Sequence, residues 1–359
     1  MVWGGNLVGV GPQQDQLLGD GARYDPATDQ WRALPIAGAP SPRQNPEVAW
    51  TGQELLVWGG LASQGAGSSV PAVPLATGSR YDPRQDAWTP MATDGGPPGA
   101  WGGAFALSRG LLVWQGVERG GAWYDAAADQ WQSISPPTML SGRADASTCV
   151  VQPADATILV WCGGLDPNHL DRTAGPAGAR YRLDTHQWIA LTSSGGPSPR
   201  WAPYSLWTGQ EWLLWGGRKP LDRPVPNNAL PSVPRDAPAE SGAAYDPHAD
   251  HWRPFDGPRP PANWRGPSLV WTGGSIIVWG GAEPDPAGGF QVTTSGWAYD
   301  VTTGVTRALP SPPVALGIKG RTGATLVWTG SSLLIWGGDA GLAGGPVSDG
   351  ALFTPDSGA

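Results

Sequence analysis

The stretch LLVWGG at residues 55–60 decides the fold, because close variants of it recur along the whole chain. The other copies are MVWGG (1–5), LLVWQG (111–116), ILVWCGG (158–164), WLLWGG (212–217), IIVWGG (276–281) and LLIWGG (333–338). Aligned on their Trp, successive copies lie 47 to 64 residues apart. A period of this length indicates a repeated unit of several short strands.

Two further elements recur around each copy. A segment that ends in Trp follows, and its five full versions are ARYDPATDQW (22–31), SRYDPRQDAW (79–88), AWYDAAADQW (122–131), ARYRLDTHQW (179–188) and AAYDPHADHW (243–252). Asp and Pro after the Tyr are turn residues. A Thr-Gly turn between two apolar runs, as in VAWTGQELLVW (48–58), precedes later copies and predicts a hairpin. The unit is therefore strand a, strand b ending in Trp-Gly-Gly, strand c with Tyr, and strand d.

In this fixed order, Gly-Gly after an apolar strand, then Tyr-Asp, then Trp resembles the kelch-repeat β-propeller family, in its bacterial type, whose fold is shared with galactose oxidase. The resemblance covers nearly the whole chain. It implies an all-β fold, a kelch-type β-propeller of seven blades with four antiparallel strands each around a central channel. We expect a single domain, 1–359, with blades at about 1–35, 46–91, 103–134, 147–191, 203–255, 267–309 and 324–359.

The strand count predicts that the first and last blades are incomplete, because strands a and d are each one fewer than strands b and c. One explanation is a propeller with three-stranded first and last blades. The other, which we favour, is a fragment of a longer exported precursor. It predicts an extracytoplasmic location, secreted or periplasmic, although this sequence contains no signal peptide.

Composition excludes several classes of protein. The formal net charge is −8 and no basic run is present, which argues against nucleic-acid binding. No stretch of 18 apolar residues occurs, so membrane insertion is not expected. The 22 Trp and 40% hydrophobic content indicate a folded chain, and a monomer is expected. Cys149 and Cys162 fall on the two arms of one hairpin, where they form either a disulfide or a pair of small apolar residues.

Function is sought in the residues that break the repeat. Three Trp fall outside the strands, in the loops that precede strand a, and Arg residues lie at or beside the same position. The predicted ligand-binding residues are Arg43, Trp101, Arg143, Arg200, Trp201, Trp264, Arg265 and Arg321. In kelch-like propellers these loops surround the channel mouth.

An Arg- and Trp-rich mouth suits a ligand with a carboxylate or sulfate and a flat apolar face, which predicts a saccharide or an extended peptide. The alternative is that Arg and Trp stack on each other or cap the neighbouring blade. The Pro-rich segment 218–241, between strands b and c of the fifth blade, has a length typical of a lid, a contact surface or a mobile segment, and it could fold over this mouth.

The search for catalytic residues identifies none, and no cofactor or metal is predicted. Asp166, Asn168, His169 and Asp171 could bind a cation, but a polar loop explains them better. The copper site of galactose oxidase needs a Tyr–Cys crosslink and two His that this pattern does not supply.

N-acetylneuraminate epimerase has a similar fold and needs an acid near the mouth. Glu47, Glu118, Asp145 and Glu283 are the acids expected at that face. The sequence thus leaves three hypotheses: a binding propeller, a sugar-directed enzyme of the epimerase or mutarotase kind, and a structural repeat domain of a larger exported protein.

Overall fold

The structure is a computed structural model of the 359-residue chain. It describes residues 1–7, 16–62, 73–97, 103–107, 109–141, 149–154, 157–163, 165–166, 169–173, 177–220, 236–239, 241–258, 266–286, 289–310, 317–341 and 345–354. The chain divides into two compact units, the first Met1–Cys162 with Ala177–Leu191 and the second Gly163–Pro176 with Thr192–Ala359. Whether they form a single domain stays a prediction.

The first unit contains four blades, each a small antiparallel sheet. Blade 1 is β1 (Val2–Leu7), β2 (Gln16–Asp25) and β3 (Gln30–Ala33). Blade 2 and its side hairpin are β4 (Glu47–Trp50), β5 (Leu55–Trp58), β6 (Leu61–Ala62), β7 (Val73–Pro74), β8 (Gly78–Asp82) and β9 (Ala87–Pro90). Blade 3 is β10 (Gly103–Leu107), β11 (Gly110–Trp114), β12 (Gly121–Asp125) and β13 (Gln130–Ile134), followed by a 3-10 helix at Thr138–Leu140. Blade 4 is β14 (Cys149–Ala154), β15 (Thr157–Cys162), β18 (Ala177–Arg182) and β19 (Gln187–Ala190). The two strands between β15 and β18, β16 (Leu165–Asp166) and β17 (His169–Thr173), pair with each other and belong to the second unit.

The second unit contains three further blades of the same kind. Blade 5 and its side hairpin are β20 (Tyr204–Trp207), β21 (Trp212–Trp215), β22 (Arg218–Pro220), β23 (Asp236–Pro238), β24 (Gly242–Asp246) and β25 (His251–Phe255). Blade 6 and its side hairpin are β26 (Ser268–Trp271), β27 (Ser275–Trp279), β28 (Ala282–Pro284), β29 (Phe290–Val292), β30 (Gly296–Asp300) and β31 (Thr306–Ala308). Blade 7 is β32 (Thr325–Trp328), β33 (Leu333–Trp336) and β34 (Gly350–Phe353).

The prediction of an all-β fold with seven propeller blades is confirmed. Blades 1 and 7 have three strands among the described residues, and the other five sheets have four, paired in the order a-b-c-d. No helix within the described ranges is long and apolar enough to span a bilayer.

Neighbouring blades within each unit pack face to face through the apolar side chains of strand b. Between blades 2 and 3 the buried cluster includes Leu56, Trp58, Leu111 and Val113. The indole N–H of Trp58 donates to the Pro97 carbonyl oxygen at 2.9 Å, which satisfies its one polar group. The Trp of strand b is therefore a packing residue, as its repetition predicts.

The Gly-Gly pair after strand b is required by the backbone. Gly59 and Gly60 have φ angles of 65° and 83°, a region that L side chains rarely adopt. A Cβ atom on Gly60 would also lie only 2.5 Å from the Gln44 carbonyl oxygen. This close approach allows Gln44 and Leu61 to exchange two backbone hydrogen bonds, of 2.9 and 2.8 Å.

A hydrogen bond from the strand c Tyr closes the turn between strands c and d. In four blades the Tyr hydroxyl donates to the Asp five residues later: Tyr24 to Asp29, Tyr81 to Asp86, Tyr124 to Asp129 and Tyr245 to Asp250. Each of these Asp residues has a φ angle near 50°, in the left-handed region that Asp tolerates better than most residues. The first Asp after the Tyr accepts backbone N–H bonds, as Asp125 does from Ala127, so the predicted turn chemistry is confirmed.

Two blades depart from this turn and keep its shape by other means. In blade 4 His186 takes the place of the second Asp, with a φ angle of 56°, and its Nδ1 atom lies 3.3 Å from the Tyr181 hydroxyl. In blade 6 Gly304 takes that place, and the Tyr299 hydroxyl donates instead to the Asp256 carbonyl oxygen. The left-handed conformation is thus the constant feature of the turn.

Cys162 is disulfide-bonded. Cys149 is the only other cysteine of the sequence and is its direct register partner in the β14–β15 pair. Of the two alternatives for these cysteines, the structure therefore has the disulfide.

The Tyr–Asp bond predicts a specific pH dependence of stability. The hydrogen bond from Tyr124 holds the pKa of Asp129 below its ordinary value, so this carboxylate stabilises the fold above about pH 4 and loses that contribution as the pH falls further. Tyr124→Phe should lower the free energy of unfolding by about 2 kcal/mol at pH 7 and by less at pH 3, measured by urea denaturation.

Tyr299→Phe is the matched control, because its hydroxyl donates to a carbonyl oxygen that does not titrate. It should cost a similar amount at both pH values. An equal loss at pH 7 and pH 3 for Tyr124→Phe would contradict a role for the Asp129 carboxylate.

Candidate functional site

Three of the predicted ligand-binding residues, Arg43, Arg200 and Arg321, occupy equivalent places in the connection that leads into strand a of blades 2, 5 and 7. Their exposed fractions are 2%, 0% and 1%. A buried guanidinium needs hydrogen-bond partners to offset the loss of water, and the surrounding main chain supplies them. Their environment therefore decides whether they can reach a ligand.

Arg200 shows the arrangement in full. Its Nε donates to the Ser198 carbonyl oxygen at 2.9 Å, and Nη2 donates to the Ser198 hydroxyl at 2.8 Å. Its Nη1 donates to the carbonyl oxygens of Gly216, at 3.0 Å, and Ser241. One side chain thus joins the end of strand b, the residue before strand c and its own connection.

Arg43 repeats this arrangement in blade 2. Its Nε and Nη2 donate to the carbonyl and hydroxyl oxygens of Ser41 at 2.8 and 3.0 Å. Its Nη1 donates to the carbonyl oxygens of Gly59 and Thr77 at 2.9 and 2.7 Å. Burial lowers the pKa of Arg43 and of Arg200 from the usual value, and Arg still carries its charge at neutral pH.

Arg321 has equivalent main-chain partners, but its side-chain partner is a carboxylate rather than a Ser hydroxyl. Its Nε donates to the Lys319 carbonyl oxygen and Nη1 to the Gly337 carbonyl oxygen, both at 3.0 Å. Nη1 also contacts the Asp349 carboxylate at 2.6 Å. Nη2 is buried with no hydrogen-bond partner, because Lys319 stands where Ser41 and Ser198 supply a hydroxyl.

These contacts give Arg43, Arg200 and Arg321 a role in the fold. Their donors point to main-chain oxygens, so the geometry does not support the expectation that they hold a ligand. It supports the alternative that they cap the repeat. Two of the three connections have the motif Ser-Pro-Arg, and this motif could have indicated the structural role from sequence. The Ser two residues before the Arg supplies it with both a carbonyl oxygen and a hydroxyl.

Trp201 is the predicted site residue that the structure leaves half-buried. The backbone N–H of Trp201 donates to the Arg218 carbonyl oxygen, and the backbone N–H of Arg218 donates to the Trp201 carbonyl oxygen, both at 3.0 Å. This bridge holds Trp201 beside the first strand of the hairpin β22–β23, in which Lys219 follows Arg218. An aromatic ring and two cationic residues therefore lie at the base of one hairpin.

The remaining predicted site residues, Trp101, Arg143, Trp264 and Arg265, lie outside the described residues, as does Asp145. Of segment 218–241, the described ends form the hairpin β22–β23 rather than an irregular loop. Similar side hairpins follow strand b in blades 2, 4 and 6, namely β6–β7, β16–β17 and β28–β29, and sequence reasoning missed all four.

The other candidate acids and cation ligands are spread over several elements. Glu47 begins β4 and Glu118 lies in the turn after β11, whereas Glu283 lies in β28. Asp166 falls on β16, and His169 and Asp171 fall on β17, while Asn168 lies outside the described residues. In the part of the chain that the structure describes, no group of three or more His, Cys, Asp or Glu is arranged to hold a metal ion.

Comparison with protein-family models finds no match to this chain. Comparison with characterised proteins finds no similar sequence either.

The buried arginines predict a large effect on stability. Arg200→Met removes the donors of three main-chain carbonyl oxygens and of the Ser198 hydroxyl, and should lower the free energy of unfolding by about 3 kcal/mol or more, measured by urea denaturation. Arg253→Met is the control, because Arg253 forms an exposed ion pair with Glu211 and should cost less than about 1 kcal/mol. Equal losses for the two variants would contradict the structural role of Arg200.

The unpaired Nη2 atom of Arg321 predicts a stabilising substitution. Lys319→Ser places a hydroxyl where Ser41 and Ser198 have theirs, and should raise the free energy of unfolding by about 1 kcal/mol. Lys319→Ala removes the same Lys without adding an acceptor and should bring no such gain. Thermal or urea unfolding of the two variants distinguishes them, and a gain from Ala as large as that from Ser would contradict the explanation.

Proposed function

We propose that this protein is a non-catalytic binding propeller of the kelch type, whose ligand binds around Trp201 and the hairpin β22–β23 of blade 5. The observation that carries the proposal is the pair of backbone hydrogen bonds that joins Trp201 to Arg218. It holds a partly exposed indole next to a strand that carries Arg218 and Lys219. The chain has a net charge of −8, so two adjacent cationic residues are a local feature, and Asp236 on the second strand of the hairpin offsets part of their charge.

The ligand that suits this surface is a saccharide with carboxylate or sulfate groups. An indole ring stacks on the apolar face of a sugar, and Arg and Lys pair with its anionic groups. This is a narrower form of the saccharide or peptide ligand predicted from sequence, and it no longer includes Arg43, Arg200 or Arg321. The protein is proposed to act as a monomer.

The disulfide at Cys162 supports an extracytoplasmic location, because such bonds persist mainly in oxidising compartments. The described acids Glu47, Glu118 and Glu283 lie on blades 2, 3 and 6, whereas Trp201 lies on blade 5. The geometry at Trp201 therefore supports binding better than the acid–base catalysis of an epimerase.

The proposal predicts binding on an array of acidic and neutral oligosaccharides. The wild-type protein should bind uronic-acid or sulfated sugars, with an affinity that falls as salt is added. Trp201→Ala should weaken binding about fivefold, because the loss of an aromatic contact costs about 1 kcal/mol.

Trp50→Ala is the matched control, since Trp50 is an exposed Trp of blade 2 and should leave sugar affinity unchanged. The absence of binding to every sugar, or an equal loss in the two variants, would overturn the proposal.

A further inference from the structure

Blade 1 has an open edge at its first strand. Among the described residues β1 pairs with β2 only, although its Trp3-Gly4-Gly5 corresponds to the Trp-Gly-Gly at strand b of blades 2, 5, 6 and 7. Its counterparts β5, β27 and β33 each pair on their second edge with a strand a. The N–H and C=O groups on that side of β1 therefore form a template for another strand.

Next to this edge, blade 2 exposes two apolar side chains, Val48 and Trp50, with exposed fractions of 45% and 43%. They lie on the same face of β4, since they are two residues apart. Their counterparts in blade 7, Leu326 and Trp328, pack against the cluster that includes Val270 of the preceding blade.

The same relation holds one blade earlier. In blade 6, Leu269 and Trp271 pack against the cluster to which Leu206 of blade 5 contributes. These two positions of strand a thus face the first strand of the preceding blade. Val48 and Trp50 are exposed because the described part of blade 1 has no such strand.

A cavity of about 310 Å³ continues this surface, and it is lined by Gly5, Arg43, Gln44, Asn45 and Pro46. In blade 2 the equivalent space is filled, because a Cβ atom on Gly60 would lie 2.5 Å from the Gln44 carbonyl oxygen. A Cβ atom on Gly5 would meet nothing within 4 Å. The open space therefore lies where a connection into strand a would run in a complete blade.

We propose that this edge, formed by β1, Val48, Trp50 and the cavity at Gly5, binds an extended peptide by β-strand addition. This surface is separate from the sugar site proposed on blade 5. The occupant has the chemistry of this chain's own a strands in blades 2, 5, 6 and 7, which are short, mainly apolar segments that end in Trp-Thr-Gly.

The register of the other blades fixes how such a peptide lies. In blade 2 the first residue of strand a, Glu47, pairs with Trp58, and the strands are antiparallel. The first strand residue of the peptide therefore pairs with Trp3, and the residues before it enter the cavity at Gly5. Its third residue, equivalent to Val270, covers Val48 and Trp50.

The test uses a fluorescein-labelled peptide of sequence GPSLVWTG, which is residues 266–273 of this chain. Titration with the whole protein, followed by fluorescence anisotropy, should show saturable binding. Hydrogen exchange measured by mass spectrometry should slow in Val2–Leu7 when the peptide is bound. A control peptide with Asp in place of Val, GPSLDWTG, should bind at least about tenfold more weakly.

Two protein variants locate the site. Val48→Asp should weaken peptide binding at least about tenfold, whereas Val73→Asp should not, although Val73 has the same exposed fraction of 45% and lies in the side hairpin of the same blade. Both substitutions are at exposed positions, and circular dichroism confirms that each variant is folded.

Three results would overturn the proposal. The first is no anisotropy change with the wild-type protein, and the second is equal binding by Val48→Asp and Val73→Asp. The third is a dimer in analytical ultracentrifugation that Val48→Asp dissociates, since a second copy would then cover this face.

Discussion

Each blade with a Trp-Gly-Gly strand exit must satisfy buried main-chain carbonyl groups where strand b ends and strand c begins. The Gly pair adopts a left-handed conformation and turns the chain sharply out of the sheet. The carbonyl oxygens of Gly59, Gly216 and Gly337 therefore accept no N–H group from a neighbouring strand. In blades 2, 5 and 7 a buried Arg donates hydrogen bonds to these carbonyl oxygens, because one guanidinium carries five donors in a fixed plane. It binds strand b, strand c and the incoming connection at once. The spacing between Ser-Pro-Arg and Trp-Gly-Gly in the sequence follows from these hydrogen bonds of the Arg side chain.

The repeat tolerates a substitution where another residue can adopt the same backbone conformation or make an equivalent contact. His186 replaces an Asp in the turn of blade 4, and Gly304 replaces one in blade 6, and in both places the left-handed backbone is kept. Lys319 replaces a Ser in blade 7, and here the substitution is not compensated, because Nη2 of Arg321 is left without a partner. Conformation is thus preserved more strictly than any one hydrogen bond.

The two surfaces to which we assign binding differ in origin. Around Trp201 the segment between strands b and c forms a side hairpin of a kind that blades 2, 4 and 6 also have, and here its first strand carries Arg218 and Lys219. At blade 1 a strand edge and two apolar side chains of blade 2 are uncovered. In the four-stranded blades strand b is paired on both sides, so a strand b that lies at the edge of its sheet offers unpaired backbone to a partner.

The sequence by itself determined the all-β class, the seven blades, the strand order within each blade and the turn at Asp-Pro, because these depend on local periodicity and on residues close in the chain. It also indicated Cys149 and Cys162 as a possible pair, since they fall on the two arms of one predicted hairpin. Tertiary structure alone decided the role of the arginines. Arg200 reaches Gly216 and Ser241, 16 and 41 residues away, and no local pattern shows whether a guanidinium meets those carbonyl oxygens or water. The sequence of β4 likewise could not show that Val48 and Trp50 are exposed, because their exposure depends on whether strand a of the preceding blade covers them.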